Sequence, residues 1–135
     1  MSDTAKYEEA LQKLFAGWTS RTANENIFIG AVPEGMLETT AVIVDAEITQ
    51  EDTDRLEKFY GRYIGKTEDR DAARAEIDLI KNNLIKYSEE ITVDSAIVKL
   101  HQIRQRGGEA LYETKDEGKD VWNFVLNLIL EFNPA

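Results

Sequence analysis

Apolar and polar positions alternate most regularly near the C-terminus, from Val121 to Phe132 (VWNFVLNLILEF). Trp122, Phe124, Leu126, Leu128, Leu130 and Phe132 occupy every second position, and Val121, Asn123, Val125, Asn127, Ile129 and Glu131 fall between them. A period of two places the first set on one face of a strand, against a core, and leaves the second set half-wet. So long and apolar a strand requires a sheet beside it and a helix over it. Near the N-terminus the period changes. Tyr7, Leu11, Leu14, Phe15 and Trp18 make a single helical stripe. Ser2, Asp3 or Thr4 can cap its start, Glu8 and Glu9 suit the positive end of its dipole, and Gly17 with the polar stretch from Thr19 to Asn26 stops it.

Between these ends the pattern predicts more strands and one more helix. Asn26–Val32 reads as a strand closed by a Pro33-Glu34-Gly35 turn, and Thr39–Ile48 as its antiparallel neighbour. There Val42, Val44, Ala46 and Ile48 share one face, with Ile43, Asp45 and Glu47 on the other. After the polar loop Thr49–Asp54, Arg55–Lys66 reads as a third strand. One of its faces carries Leu56, Lys58, Tyr60, Arg62 and Ile64; the other carries Phe59, Gly61, Tyr63 and Gly65. Glycines inside a strand predict a bulge or a close neighbour. A second helix starts at an N-cap, Thr67, buries Ala73, Ile77, Ile80, Leu84 and Tyr87, and ends near Tyr87-Ser88, with a loop running on to Asp94. Ser95–Gln105 is a further strand that resumes at Leu111–Glu113 after Gly107-Gly108, and Lys115–Lys119 is a hairpin turn with Gly118 at positive φ. The expected class is α+β: a mostly antiparallel sheet with two main helices packed on one face, in a single domain spanning 1–135.

Composition adds constraints. The chain has 135 residues, no cysteine, and 16 Lys and Arg against 26 Asp and Glu, a formal net charge of −10. Disulfides and thiolate metal sites are excluded. The deficit of cations argues against phosphate-driven binding of nucleic acid. No basic or apolar leader opens the chain, and no apolar run is long enough to cross a bilayer as a helix, so a soluble protein within the cell is expected.

Candidate chemistry is sparse. His101 stands alone, without a second ligand or a triad partner of its own type. The four serines lie outside any G-x-S-x-G context. Gly107-Gly108 lacks the Lys-Ser/Thr of a phosphate loop. Asp116, Glu117 and Asp120 lack calcium-loop spacing, and the cluster Glu47, Glu51, Asp52 and Asp54 reads as a wet acidic loop. No catalytic, cofactor-binding or metal residues are assigned, and no enzymatic activity is expected. Against this, the third strand and the last strand carry apolar groups on both faces. With helices on one side only, the other leaves a patch that either forms an interface or is covered by loops.

The order and local flavour of these segments resemble a known family. ENIFIGAVPEGM, then TTAVIVDAEI, then RLEKFYGRYIGKTEDRDAARAEIDLI, and finally IVKLHQIRQRGGEALYE with VWNFVLNLILEF are similar to the tail terminator proteins of long-tailed bacteriophages, also called minor capsid or head–tail joining proteins. The chain departs from many members at Thr49–Asp54, where a Gly/Pro-rich turn is common. The resemblance implies a structural, non-enzymatic role in the virion, with assembly in the host cytoplasm. It implies a homo-oligomeric ring, usually of six subunits, on the head-proximal end of the tail tube. Such a ring stops tube polymerisation, meets the tube protein and the head–tail connector, and lets DNA pass without binding it specifically. No membrane and no cofactor are implied. Phe59, Tyr60, Tyr63, Val121, Val125 and Ile129 are then the candidate ring or tube contacts, and Glu47, Glu51, Asp52 and Asp54 the candidate channel-facing acidic loop. The alternative from another class is a small α+β module that binds a ligand or peptide on its exposed sheet face.

Overall fold

The computed structural model describes residues 3–48, 56–84 and 88–133. In chain order these form α1 (Asp3–Thr19), β1 (Ile27–Ile29), β2 (Thr39–Glu47), β3 (Glu57–Thr67), α2 (Arg70–Asn82), β4 (Glu89–Val93), β5 (Ala96–Gln105), β6 (Ala110–Asp116) and β7 (Lys119–Asn133). The fold is α+β, with both helices packed on a curled, mostly antiparallel sheet of seven strands. The sheet order is β1-β2-β3-β7-β5-β4, and β6 also pairs with β7.

The last strand is the spine of this sheet. Along one edge β7 pairs with the whole of β3, from Glu57↔Phe132 to Thr67↔Trp122. Its other edge is shared. The C-terminal half takes β5 and the N-terminal half takes β6. These two are one interrupted strand: around Gly107-Gly108 the chain leaves the ladder, with the Arg106 amide still bonded to the Asn127 carbonyl at 2.8 Å. The β6–β7 hairpin closes on Glu117 and Gly118, both at positive φ (50° and 81°), as a two-residue turn of the primed type demands.

The core lies between the sheet and the helices. Tyr7, Ala10, Leu11, Leu14 and Phe15 of α1 are buried, as are Ala73, Ile77 and Ile80 of α2. They meet Phe124, Leu126, Leu128, Leu130 and Phe132 of β7 in one continuous cluster. Aromatic rings organise it. Tyr7 stacks on Phe132 with centroids 3.9 Å apart and meets Phe59 edge-on at 5.6 Å, while Phe15 meets Tyr63 edge-on at 5.3 Å. The two strand glycines are explained by close neighbours. A Cβ on Gly61 would come within 2.5 Å of Leu130 Cδ1, and one on Gly65 would collide with the Phe124 ring that lies across it.

Four expectations need correction. First, β1 is shorter than expected and runs parallel to β2, with Ile27 opposite Thr40. Pro33-Glu34-Gly35 does turn the chain, with the Met36 amide bonded to the Pro33 carbonyl, but residues 30–38 then carry it back past the start of β1. A strand of three residues spans only about 10 Å, so a short loop suffices for this parallel return. Second, Glu89–Val93 is a strand paired with β5, not a loop. Ile91 and Val93 face the core while Glu90 and Thr92 do not, an alternation too brief to stand out. Third, the N-cap of α2 is Asp69, whose side chain accepts from the Asp71 amide at 2.9 Å. Thr67 is the last residue of β3, and its hydroxyl is held by the Glu38 carboxylate at 2.7 Å. The helix stops at Asn82, with Asn83 as C-cap, well before the expected end. Finally, a register shift between Val44 and Glu47 sets Glu47 opposite Phe59, so the alternation does not run unbroken through β2.

Candidate functional site

Strand alternation that faces Phe59, Tyr63 and the even residues of β7 toward the helices turns another set outward. On β3 this bare face carries Lys58, Tyr60, Arg62, Ile64 and Lys66. Asn123, Val125, Asn127, Ile129 and Glu131 follow on β7, with Ala41, Ile43 and Asp45 on β2 and Gln102 and Arg104 on β5. Neither helix covers these side chains, yet Tyr60, Ile64, Val125 and Ile129 are only half exposed.

Long cationic side chains supply part of the cover. Arg62 lies flat against Asp45 in a bidentate pair, Nε to Oδ2 and Nη2 to Oδ1 both at 2.9 Å. That hydrogen bond holds the Arg62 guanidinium above its already high ordinary pKa. Glu131 is buried and receives Arg104 Nε at 3.1 Å, with Lys58 Nζ at 3.9 Å. The Arg106 guanidinium sits 4.0 Å above the centre of the Tyr60 ring, a cation–π contact. Curling of the sheet supplies the rest. Tyr112 of β6 and Ala31-Val32 of the β1–β2 loop wall a hollow of about 270 Å³ floored by Ile64 and Val125, with Arg62 and Lys66 also lining it.

The structure divides the expected contact residues. Tyr60, Val125 and Ile129 do come together on the bare face. Phe59 and Tyr63 do not: they are 5% and 0% exposed, in the helix-side core, and offer no surface to a partner. Their period places them with Gly61 and Gly65, under the helices. Val121, opposite Thr114, is 1% exposed and is likewise closed within this chain. Of the acidic loop, Glu47 is exposed at the end of β2; Glu51, Asp52 and Asp54 lie outside the described residues.

Sequence reading set Lys58 and Arg62 on this face but gave the cations no role and did not bring Arg104 and Arg106 to it. The signal for three of the five was present in KFYGRYIGK, where Lys58, Arg62 and Lys66 recur at a period of four among aromatic and aliphatic residues. Arg106 lies beyond the strand, and only folding brings it to Tyr60.

A second polar cluster is internal. The Tyr63 hydroxyl donates to Glu76 Oε1 at 2.6 Å and lies 2.9 Å from Thr40 Oγ1, while Arg21 Nε donates to the same Glu76 oxygen at 2.8 Å. Burial and the Glu76 carboxylate both push the Tyr63 phenol far above its ordinary pKa, so it stays protonated. Arg21 Nη1 also donates to the carbonyls of Asn26 and Glu38. This network joins the end of α1, the start of β2, β3 and α2. With the Tyr63 hydroxyl and the Arg21 guanidinium both bonded to Glu76, it fastens these elements together.

Among the described residues no three His, Asp or Glu side chains gather as a metal site would require. His101 sits in the irregularity between Leu100 and Gln102 of β5, half-buried. Among these residues, no helix is long and apolar enough to cross a membrane.

No protein-family model and no curated protein matches this sequence. Among solved structures the fold is similar to that of a chain described as "Virion of native gene transfer agent (GTA) particle", at 14% sequence identity and a TM-score of 0.51. The match covers 99% of this chain and 100% of the other. At that identity the likeness is one of fold, and it runs from end to end.

Proposed function

We propose that this chain is a structural component of a phage-like virion and acts by assembly, without turning over a substrate. The observation that carries the reading is the end-to-end likeness of fold to a chain of a virion particle. The bare, half-apolar sheet face supports it, because an assembling subunit needs a surface that its own helices do not use.

Within that reading, the resemblance of the segments from ENIFIGAVPEGM to VWNFVLNLILEF to tail terminators supports a finer role. The chain forms a ring, usually of six copies, on the head-proximal end of the tail tube, ends tube growth and presents a surface to the head connector. Its place is then the virion, its partners are the tube and connector proteins, and it requires no cofactor. A net charge of −10 suits a ring through which DNA passes without being held. Purified tail tubes incubated with this protein test the role. Electron microscopy and native mass spectrometry should find capped tubes of fixed length bearing one ring each, and tubes that continue to lengthen would overturn it.

One observation favours a second reading. The hollow over Ile64 and Val125 is of a size to take one or two side chains of a peptide. A stable monomer in which β6 and the β1–β2 loop gain protection from exchange only on adding a peptide would support a binding module instead.

A further inference from the structure

The bare face differs in charge from the rest of the chain. Lys58, Arg62, Lys66 and Arg104 are spread along it, with Arg106 over Tyr60, against Asp45 and Glu131. In a chain that carries 26 carboxylates to 16 Lys and Arg, this local surplus of cations leaves every other surface more acidic still. The face is also apolar between its cations, through Tyr60, Ile64, Val125 and Ile129. Such a face fits a partner surface that is acidic and partly apolar.

This chain has a surface of that kind on another side. Where α1 packs on the sheet edge formed by β4, Glu9 and Asp94 stand on one side of Lys13, and Glu89 and Glu90 on the other. Lys13 is already engaged, its Nζ donating to the Thr92 carbonyl at 2.9 Å. Two open hollows, of about 490 and 390 Å³, flank that bond and reach Ile29 and Trp18. The flank therefore offers carboxylates, recesses and apolar side chains together. It adjoins the covered face of the sheet and the cationic patch lies on the bare one, so contact between them joins two different surfaces.

The geometry points to a head-to-tail contact between copies of this chain, in which the Tyr60–Arg62–Arg106 face of one copy docks on the α1–β4 flank of the next. The inference rests on the assembly reading above and names its surfaces. Contacts between unlike surfaces generate a closed ring or an open filament according to the rotation between subunits. Nucleic acid is the weaker occupant. The chain as a whole carries a net charge of −10, which opposes phosphate, and the apolar residues between the cations suit a protein surface better.

The test is self-association of the full chain by analytical ultracentrifugation at low and high salt. Charge pairing predicts association that weakens about tenfold or more between about 0.05 and 0.5 M salt. Arg62→Glu with Lys66→Glu should weaken it at least as much, as should Glu89→Lys with Glu90→Lys. Combining all four reversals should recover a large part of the loss. Glu34→Lys, in the β1–β2 loop, should change little. Thermal melts check that each variant folds. Hydrogen exchange on the unaltered protein adds an independent readout, with β3 and β4 gaining protection as concentration rises. Association that ignores both pairs of reversals would overturn the inference while leaving the assembly reading in place. A protein that stays monomeric at every concentration and also fails to cap tubes would overturn both. Salt-sensitive binding of a short DNA duplex, lost in Arg62→Glu/Lys66→Glu, would overturn it in favour of a nucleic-acid face.

Discussion

The covered and bare faces of the sheet are built from the same strands, and they satisfy their side chains by different means. On the covered face Phe59, Tyr63, Phe124, Leu128, Leu130 and Phe132 are enclosed by packing against α1 and α2. Gly61 and Gly65 there are shaped to their neighbours. On the bare face Tyr60, Ile64, Val125 and Ile129 stay half-wet between cations whose charges are met by Asp45, Glu131 and a ring. Shape holds the first, where each lost contact leaves a void. Water and charge complete the second, so it tolerates change within one chain and answers to salt and to neighbouring copies.

Breaking the covered face should produce the largest effect. Phe132→Ala removes a fully buried ring stacked on Tyr7 and should destabilise the chain by about 3–5 kcal/mol in urea unfolding. A loss below about 1 kcal/mol would mean that the two faces are not as different as drawn. Gly65→Ala drives a methyl into the Phe124 ring and should cost roughly 1–3 kcal/mol. Gly61→Ala should cost less, because its neighbour is the flexible end of Leu130. Tyr63→Phe keeps the ring but deprives Glu76 and Thr40 of a buried hydroxyl, for about 1–2 kcal/mol in the same assay.

The bare face should behave otherwise. Ile129→Ala is expected to cost roughly 1 kcal/mol in the isolated chain, since the side chain is already partly in water. Its effect on association should be proportionally larger, and an equal effect on both would dissolve the distinction. The smallest expected effect is one of pH. Glu109 binds Arg74 Nη2 at 2.5 Å, and that bond with help from Lys81 and Gln105 lowers its pKa from 4.5 to about 2. A carboxyl with a depressed folded pKa stabilises above its unfolded value and loses that stabilisation as pH falls through the folded one. The contribution should therefore be intact above about pH 4.5 and fade toward pH 2, and Glu109→Gln should flatten that part of the stability–pH curve.

How much was legible beforehand follows from the range of the forces involved. The stripe of α1, the face of α2 and the alternation of β7 are repeated local signals, and each element forms where its period runs. The face assignments within β3 were legible for the same reason, down to the two glycines. The parallel pairing of β1 was not, because Pro33-Glu34-Gly35 specifies a turn but not where the chain goes after it. β4 was missed because five residues hold only two inward positions. At the candidate site, Tyr60, Val125 and Ile129 were visible as outward apolar residues. Phe59 and Tyr63 share their aromatic character, but the two-residue period turns them to the helix side with Gly61 and Gly65.

By itself the sequence determined the class of fold, the central strand and the absence of disulfides. These depend on composition and on periodicity over neighbouring residues, which the backbone geometry of helices and strands translates directly into faces. Only the tertiary structure decided that Arg106 covers Tyr60, that Glu131 is shared by Arg104 and Lys58, and that Tyr63, Glu76 and Arg21 close a single network. Those contacts join residues far apart in the chain. Their existence depends on the order of strands across the sheet and on its curl, which no local period encodes.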